Sequence, residues 1–259
     1  MQDWNPQLYR QFESERTRPA QELLARIPVT DVRFATDLGC GPGNSTELLA
    51  NAWPEAQIYG LDSSEAMLQQ ARERLPRCTF IKDDIRCWRA NEPQQVIYAN
   101  ASLQWLDQHD TLLPQLANQL DTGGTLAIQM PDNLQEPSHR LMRDIAACDP
   151  WRQRIGEVER KQPLTSENYY DLLSQAGCEV DTWRTTYYHV MPDAQAIVTW
   201  LKATGLRPFV GALEPDEQTR FLEQYHQALQ QAYPARNDGC VLLAFPRLFI
   251  VAVKKASHS

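Results

Sequence analysis

The chain is short of cations. Its 259 residues hold 25 lysines and arginines against 33 aspartates and glutamates, a formal charge of −8. A nucleic-acid binder usually presents a basic face, so this deficit argues against that class. Uninterrupted apolar runs are also missing. The longest, residues 240–253, is broken by Pro246 and Arg247 and is too short to span a bilayer. The six cysteines, at 40, 78, 87, 148, 178 and 240, make no Cys-x-x-Cys pair and no metal-ligand spacing. They read as isolated thiols of a reducing compartment, and no metal is expected. Neither a repeat with a period of roughly 20–50 residues nor a low-complexity tract occurs, which sets aside solenoids and linkers. The opening stretch, MQDWNPQLYRQFESER, is polar and charged, unlike a signal peptide. These absences predict a soluble, cytoplasmic protein with no nucleic-acid or membrane partner. What is present suffices for a large core: 42% of residues are hydrophobic and 9% aromatic. At roughly 150 residues per domain, the length suits one large domain with an elaboration.

Short apolar runs alternate with amphipathic segments over the first half. The runs are Arg33–Leu38, Gln57–Leu61, Thr79–Lys82, Gln95–Ala99 and Thr125–Met130; helical patterns cover Ser45–Ala52, Ser64–Leu75 and His109–Leu120. This rhythm predicts right-handed βαβ units on a parallel sheet. Ser63-Ser64-Glu65 has the N-cap and first-turn acid of a helix start. Asp121-Thr122-Gly123-Gly124 predicts a turn that ends one helix and launches the next strand. The second half predicts helices over Pro137–Ala147, Ser166–Ala176, Asp193–Thr204 and Pro215–Tyr233. A polar, arginine-rich stretch fills Asp149–Gln162, and strands follow at Glu179–Val190 and Val241–Val253. The two late strands suggest a hairpin-like antiparallel edge, with a helical cap beside it. One or two helices precede the first strand, carrying Leu8, Phe12, Leu23, Leu24 and Ile27.

The informative segment is Thr36-Asp37-Leu38-Gly39-Cys40-Gly41-Pro42-Gly43-Asn44-Ser45. An apolar strand runs into three glycines at alternate positions, and a helix follows. Glycine lets the backbone turn sharply and approach a ligand, while the helix start presents unpaired N–H groups. The spacing is Gly-x-Gly-x-Gly, not the Gly-x-Gly-x-x-Gly of dinucleotide sites, so a nicotinamide dehydrogenase is disfavoured. Asp37 also points away from a pyrophosphate: a carboxylate there repels phosphate and attracts an ammonium group. A bare strand-to-helix turn is the competing explanation. Asp62 ends the second run, where in a βαβ unit a carboxylate is placed to accept both hydroxyls of a ribose; the alternative is a helix cap. Asp83-Asp84-Ile85 ends the third run. An acid followed by an aliphatic residue suits an adenine amino group and ring face, but solvated turn acids look the same. The fourth run ends in Ala99-Asn100-Ala101-Ser102-Leu103-Gln104-Trp105, small residues that admit a close ligand, with Trp105 either stacked on it or in the core.

In this order, Asp37–Gly43, Asp62, Asp83-Asp84-Ile85 and Asn100-Ala101-Ser102 resemble the class I S-adenosylmethionine (SAM) methyltransferases. The resemblance implies a Rossmann-like α/β fold with a mostly parallel seven-stranded sheet, an antiparallel edge and a helical cap. It implies SAM as cofactor. Asp37 with Gly39, Cys40, Gly41 and Gly43 would hold the methionine moiety, Asp62 the ribose, Asp84 and Ile85 the adenine, and Asn100 and Ala101 would border the methionine end. Ser63 and Met67, just past Asp62, join this set. It further implies one methyltransferase domain over residues 1–259: a lid at 1–30 carrying Trp4, Tyr9 and Phe12, a SAM-binding core at 31–132, and a substrate-binding cap with closing strands at 133–259.

A closer resemblance rests on Trp4-Asn5-Pro6, Asn100–Leu106, Gln129-Met130-Pro131-Asp132-Asn133, Cys178–His189, Ala203–Pro208 and Leu243–Val251. These look like the methyltransferases that esterify one carboxylate of trans-aconitate. A tricarboxylate in an acidic protein needs fixed cations, and arginine's planar fork binds carboxylates in bidentate fashion. Arg184, Arg207 and Arg247 are the candidates, with Trp105, Tyr188 and His189 beside them. Arg247 interrupts an apolar strand, where an arginine seldom lacks a partner. Structural ion pairs or edge-strand charges are the alternative for all three. No general base stands out, and a carboxylate needs none, since it is ionised above a pH of about 4. Two other functions stay open: a SAM methyltransferase for a different acceptor, and a SAM-binding module without catalysis.

Overall fold

The computed structural model of the chain describes residues 13–156, 158, 164–202 and 204–256, with side chains from residue 17 onward. The expected lid residues Leu8, Trp4, Tyr9 and Phe12 lie outside the described residues, as does most of 157–163.

Seven strands are present among the described residues: β1 Phe34–Leu38, β2 Gln57–Asp62, β3 Thr79–Lys82, β4 Gln94–Asn100, β5 Leu120–Pro131, β6 Cys178–Met191 and β7 Val241–Lys254. They form one mixed sheet in the order β3-β2-β1-β4-β5-β7-β6. Pairing is parallel from β3 through β5, with Asp37 opposite Gly60 on one side and Tyr98 on the other. The alternation of apolar strand and amphipathic helix in the sequence produces this arrangement, since each crossover helix must cover a face of a parallel sheet. Chain order reverses between β1 and β4. Ligands of open α/β sheets bind beyond the carboxyl ends of strands at such a reversal.

The helices are α1 Glu13–Leu24, α2 Asn44–Ala52, α3 Glu65–Arg74, α4 His109–Ala117, α5 Pro137–Ala146, α6 Trp151–Ile155, α7 Ser166–Gln175, α8 Ala194–Lys202, α9 Arg207–Val210 and α10 Pro215–Ala232, plus a 3₁₀ turn at Leu103–Trp105. Local chemistry fixes their starts. Ser64, rather than Ser63, caps α3 by accepting from Met67 N at 3.3 Å. Thr165 caps α7, Asp193 caps α8 through Ala196 N at 2.8 Å, and Glu214 with Glu217 forms a capping box on α10. No described helix is long and apolar enough to cross a membrane.

The described chain divides into two compact units. The first draws on Met1–Pro131, Pro163–Thr185 and Leu248–Ser259, the second on Asp132–Gln162 and Thr186–Arg247. In the first, Leu38, Leu61, Ile97, Leu113, Ile128 and Ile250 are buried in one core cluster. Each such side chain contributes about 1.5–3 kcal/mol by leaving water. In the second, Phe221, Tyr225 and Leu229 of α10 are buried along one face.

Two expectations need correction, and one segment gains a helix. Asp121–Gly124 is not a turn before the strand: β5 already begins at Leu120, and α4 stops at Ala117. The pairing slips from Gln94↔Leu120 to Val96↔Thr125, so the diglycine is an irregularity within the strand. A β-carbon on Gly124 would sit 2.6 Å from the Gln94 carbonyl oxygen, so only glycine permits that approach. The arginine-rich stretch after Asp149 contains α6, anchored by the buried Trp151, whose Nε1 donates to Gln224 at 2.8 Å. Finally, the helix expected to end at Thr204 ends at Lys202, and the short α9 starts at Arg207.

Candidate functional site

The glycine turn is tied to β2. Gly39 N and Cys40 N both donate to the Leu61 carbonyl, at 2.7 and 2.9 Å, and Gly41 N donates to Asp62 Oδ2 at 2.9 Å. Asp62 Oδ1 accepts from Ser64 N at 2.9 Å. Asp62 therefore both steadies the turn and starts α3, while remaining half-buried at the strand end. Cys40 packs under the turn, and burial drives its thiol pKa upward.

Asp37 lies deeper than its sequence position suggests. It is fully buried, and its Oδ2 accepts from Ser45 Oγ and Thr46 Oγ1, both at 2.7 Å. Its Oδ1 is buried with no hydrogen-bond partner. Burial pushes its pKa up to about 6; the Ser45 and Thr46 hydroxyls oppose this, and the Asp62 charge adds to it. The two hydroxyls, which the sequence reading passed over, come from the first turn of α2, immediately after the glycines. A Ser-Thr pair at that place is the signal that locates them.

Above the turn, Thr17, Ala20, Gly39, Cys40, Gly41, Pro42, Asn44, Ser45, Leu48 and Asn100 line a cleft. Asn100 Oδ1, Ser102 Oγ and Gln104 Oε1 are also buried without hydrogen-bond partners. Together with Asp37 Oδ1 they are orphan polar groups of one neighbourhood of the fold, the carboxyl ends of β1 and β4. Such orphans cost about 1–3 kcal/mol each in a sealed core, so a cluster of them marks a place where a ligand or water completes the bonding. The residues present fit a cofactor that brings an ammonium group and hydroxyls.

The other cofactor candidates are placed unevenly. Ser63 is exposed and Met67 buried in α3. Ile85 is buried in the core cluster of the first unit. Asp84 is held in an ion pair by Arg86, with Arg86 Nε at 3.0 Å, and hydrogen bonds from the Arg86 side chain and backbone keep its carboxyl below the usual range. Ala101 follows Asn100 with φ 53, in the left-handed region.

Among the substrate candidates, Trp105 is 40% exposed at the end of the 3₁₀ turn. Arg184 is exposed near Glu167; the Glu167 backbone N–H and then the Thr165 hydroxyl hold that carboxyl low, with Arg184 adding a smaller effect. Both belong to the first unit. Tyr188, His189, Arg207 and Arg247 belong to the second. There, His189 and Arg247 share neighbours. Arg247 is 4% exposed, with its guanidinium 4.7 Å from the Phe245 ring centre and 6.0 Å from that of Tyr187. His189 packs against Trp200 at 4.7 Å and Phe245 at 5.7 Å. His139, which the sequence reading did not single out, reaches the same Phe245 ring edge-on at 6.5 Å. Tyr188 stands 65% exposed on β6, and Arg207 is half-buried at the start of α9.

A family model described as "Methyltransferase domain" matches residues 35–124, the span from β1 into β5. Trans-aconitate 2-methyltransferase of Yersinia pestis (strain Pestoides F) is 59% identical over 254 residues, covering 97% of this chain and 98% of the relative. Trans-aconitate 2-methyltransferase of Variovorax paradoxus (strain S110) is 56% identical over 259 residues, covering 99% and 100%. Among solved structures, the YcgJ protein of Bacillus subtilis shares the fold at TM-score 0.61 and 10% identity, covering 93% of this chain and 99% of its own. Phosphoethanolamine N-methyltransferase 2 of Haemonchus contortus, solved with S-adenosyl-L-methionine, matches at TM-score 0.57 and 19% identity, covering 92% of this chain and 53% of its own. The structural likenesses establish the fold, and the near full-length identities establish the kinship: the chain belongs to the trans-aconitate 2-methyltransferase family, on the Rossmann-like fold of the class I methyltransferases.

Proposed function

We propose that the cleft above the glycine turn binds SAM and that the chain esterifies one carboxylate of trans-aconitate, leaving a monomethyl ester and S-adenosylhomocysteine. The observation that carries the reading is the cluster of orphan polar groups, Asp37 Oδ1, Asn100 Oδ1 and Ser102 Oγ, beside a glycine-lined cleft. The relatives' names supply the acceptor. When bound, SAM supplies an electrophilic methyl group on a sulfonium.

The chain's own residues do the rest. Asp37 offers a buried negative charge to the amino-acid end, and Asp62 offers its carboxylate at the end of β2 to the ribose. Asp84 and Ile85 form the adenine side, with Gly39, Cys40, Gly41 and Gly43 giving backbone access and Ala101, Ser63 and Met67 bordering the cofactor. Arg247 and His189 hold the acid's spectator carboxylates in the second unit, and Arg184, Arg207, Tyr188 and Trp105 are further contacts. A carboxylate is ionised at neutral pH, so no side chain need take a proton. Catalysis then consists of holding the oxygen in line with the methyl group and excluding water. In domain terms, residues 31–132 act as the cofactor core, 133–259 as the acid-binding cap with closing strands, and 1–30 as a lid. A reducing cytoplasm suits its free cysteines.

The test is direct. Purified protein is incubated with SAM and a panel of small acids, and the products are read by mass spectrometry. Trans-aconitate monomethyl ester formed in step with S-adenosylhomocysteine supports the reading. Methylation of some other acceptor alone, or binding without turnover, replaces it.

A further inference from the structure

Ala101 and Gln108 are the non-glycine residues with left-handed backbone among the described residues, at φ 53 and 60. They bracket the segment that leaves β4 and contains the 3₁₀ turn Leu103–Trp105. Residues with a β-carbon keep such conformations only where their surroundings hold them, and such places cluster at functional sites. Three contacts do the holding here. Ala101 N donates to the Gln129 carbonyl at 2.8 Å, and Gln104 Nε2 donates to the Ala101 carbonyl at 2.7 Å. The third is His109, the first residue of α4, whose Nε2 lies 2.9 Å from the Leu103 carbonyl oxygen.

His109 is 8% exposed, and its other nitrogen is engaged as well: Nδ1 lies 2.7 Å from the Tyr169 hydroxyl on α7. Tyr169 in turn accepts from Leu164 N at 3.3 Å. The hydrogen-bond network assigns the tautomer. A carbonyl only accepts, so Nε2 carries the proton; in the neutral ring Nδ1 then accepts from the Tyr169 hydroxyl. His109 therefore donates one bond to the turn after β4 and accepts one from α7. The Leu103 carbonyl sits one residue past Ser102, whose β-carbon would lie 2.3 Å from a β-carbon placed on Gly39, and three past Asn100, which lines the cleft.

We propose that His109 is a positioning residue for the cofactor cleft: its Nε2 bond to Leu103 holds the turn after β4, and with it Asn100 and the Ser102–Gly39 contact, while the Tyr169 hydroxyl anchors the ring through Nδ1. This rests on the assignment of Asn100 and Ala101 to the cofactor site. The competing account is that His109 merely stitches α4 to α7.

Two substitutions separate the arms. A glutamine amide reaches about where Nε2 stood, and an asparagine amide about where Nδ1 stood. His109→Gln keeps the donor to Leu103 and gives up Tyr169; His109→Asn does the reverse. Each variant loses one buried hydrogen bond, so both should unfold at lower temperature. S-adenosylhomocysteine affinity, measured by calorimetry, should stay within about twofold of wild type for His109→Gln and fall about fivefold or more for His109→Asn, the effect of one hydrogen bond. Nitrogen NMR of the wild-type ring should show the Nε2-protonated form. Affinity losses that are equal in the two variants and track their unfolding temperatures overturn the proposal, as does an Nδ1-protonated ring. Unchanged affinity in both variants also overturns it when Asn100→Ala still weakens binding. Unchanged affinity in all three overturns the site assignment beneath it.

Discussion

Gly39 and Ser102 meet at the centre of the site, where the turn after β1 touches the turn after β4. A β-carbon on Gly39 would lie 2.3 Å from the Ser102 β-carbon, and Gly39 has φ 74. Both the space and the backbone conformation require glycine there. The contact joins the two segments that line the cleft on either side of the chain reversal.

Gly39→Ala should therefore destabilise the fold by about 2–4 kcal/mol, combining left-handed strain with overlap against backbone-anchored atoms. It should also abolish S-adenosylhomocysteine binding. Ser102→Gly added to Gly39→Ala removes the overlap but not the strain, so it should recover part of the loss. Gly41→Ala meets nothing within 4 Å and should cost only about 1–2 kcal/mol, from its φ of 54. Chemical denaturation of the four proteins checks the ranking; equal costs at Gly39 and Gly41 would contradict the contact's importance.

Asp37 gives a pH prediction. Its folded pKa of about 6 lies above the ordinary 3.8, so its contribution to stability is full below pH 3.8 and is lost as pH rises through about 6. Asp37→Asn keeps an oxygen for Ser45 and Thr46 without the buried charge. At pH 8 it should stabilise the ligand-free protein, by up to about 3 kcal/mol. The same change should weaken binding of the cationic cofactor at least tenfold. In the wild type, affinity should climb between about pH 5 and 7, because the ammonium favours the ionised carboxylate, and binding should release protons there. A flat affinity profile in the wild type, or unaltered affinity in Asp37→Asn, would contradict this role.

Arg247 tests the acid site. Arg247→Met keeps much of the apolar contact with Phe245 but removes the charge. The KM for trans-aconitate should rise tenfold or more while S-adenosylhomocysteine affinity stays unchanged. Arg247→Lys should not restore KM, because an ammonium lacks the planar two-pronged geometry. Loss of cofactor affinity with normal acid kinetics would move Arg247 out of the acid site and into a structural role.

The parallel half of the fold was legible because burial on both faces writes near-continuous apolar runs into the sequence, and β4, buried along all but its last residue, is the clearest. The glycine spacing and the acids at 37 and 62 located the cleft for similar reasons of chain geometry. Other features depend on contacts distant in sequence. The diglycine at 123–124 looks like a turn until the Gln94 carbonyl is seen against it. By contrast, the partners of Asp37 and Asp84 stand close by in the sequence, at Ser45, Thr46 and Arg86, and only the depth of Asp37 needs the tertiary structure. His139 and Phe245 lie far apart in sequence, and their meeting follows only from tertiary packing. His109 has the same character, with partners six residues before it and sixty after.

The most direct measurement is a calorimetric titration of ligand-stripped protein with S-adenosylhomocysteine, repeated on Asp62→Ala. Saturable, one-site heat in the wild type, weakened at least tenfold by Asp62→Ala, is the predicted result. The absence of heat in the wild type, or full-strength binding without the Asp62 carboxylate, would contradict the placing of the nucleoside at the carboxyl ends of β1 and β2.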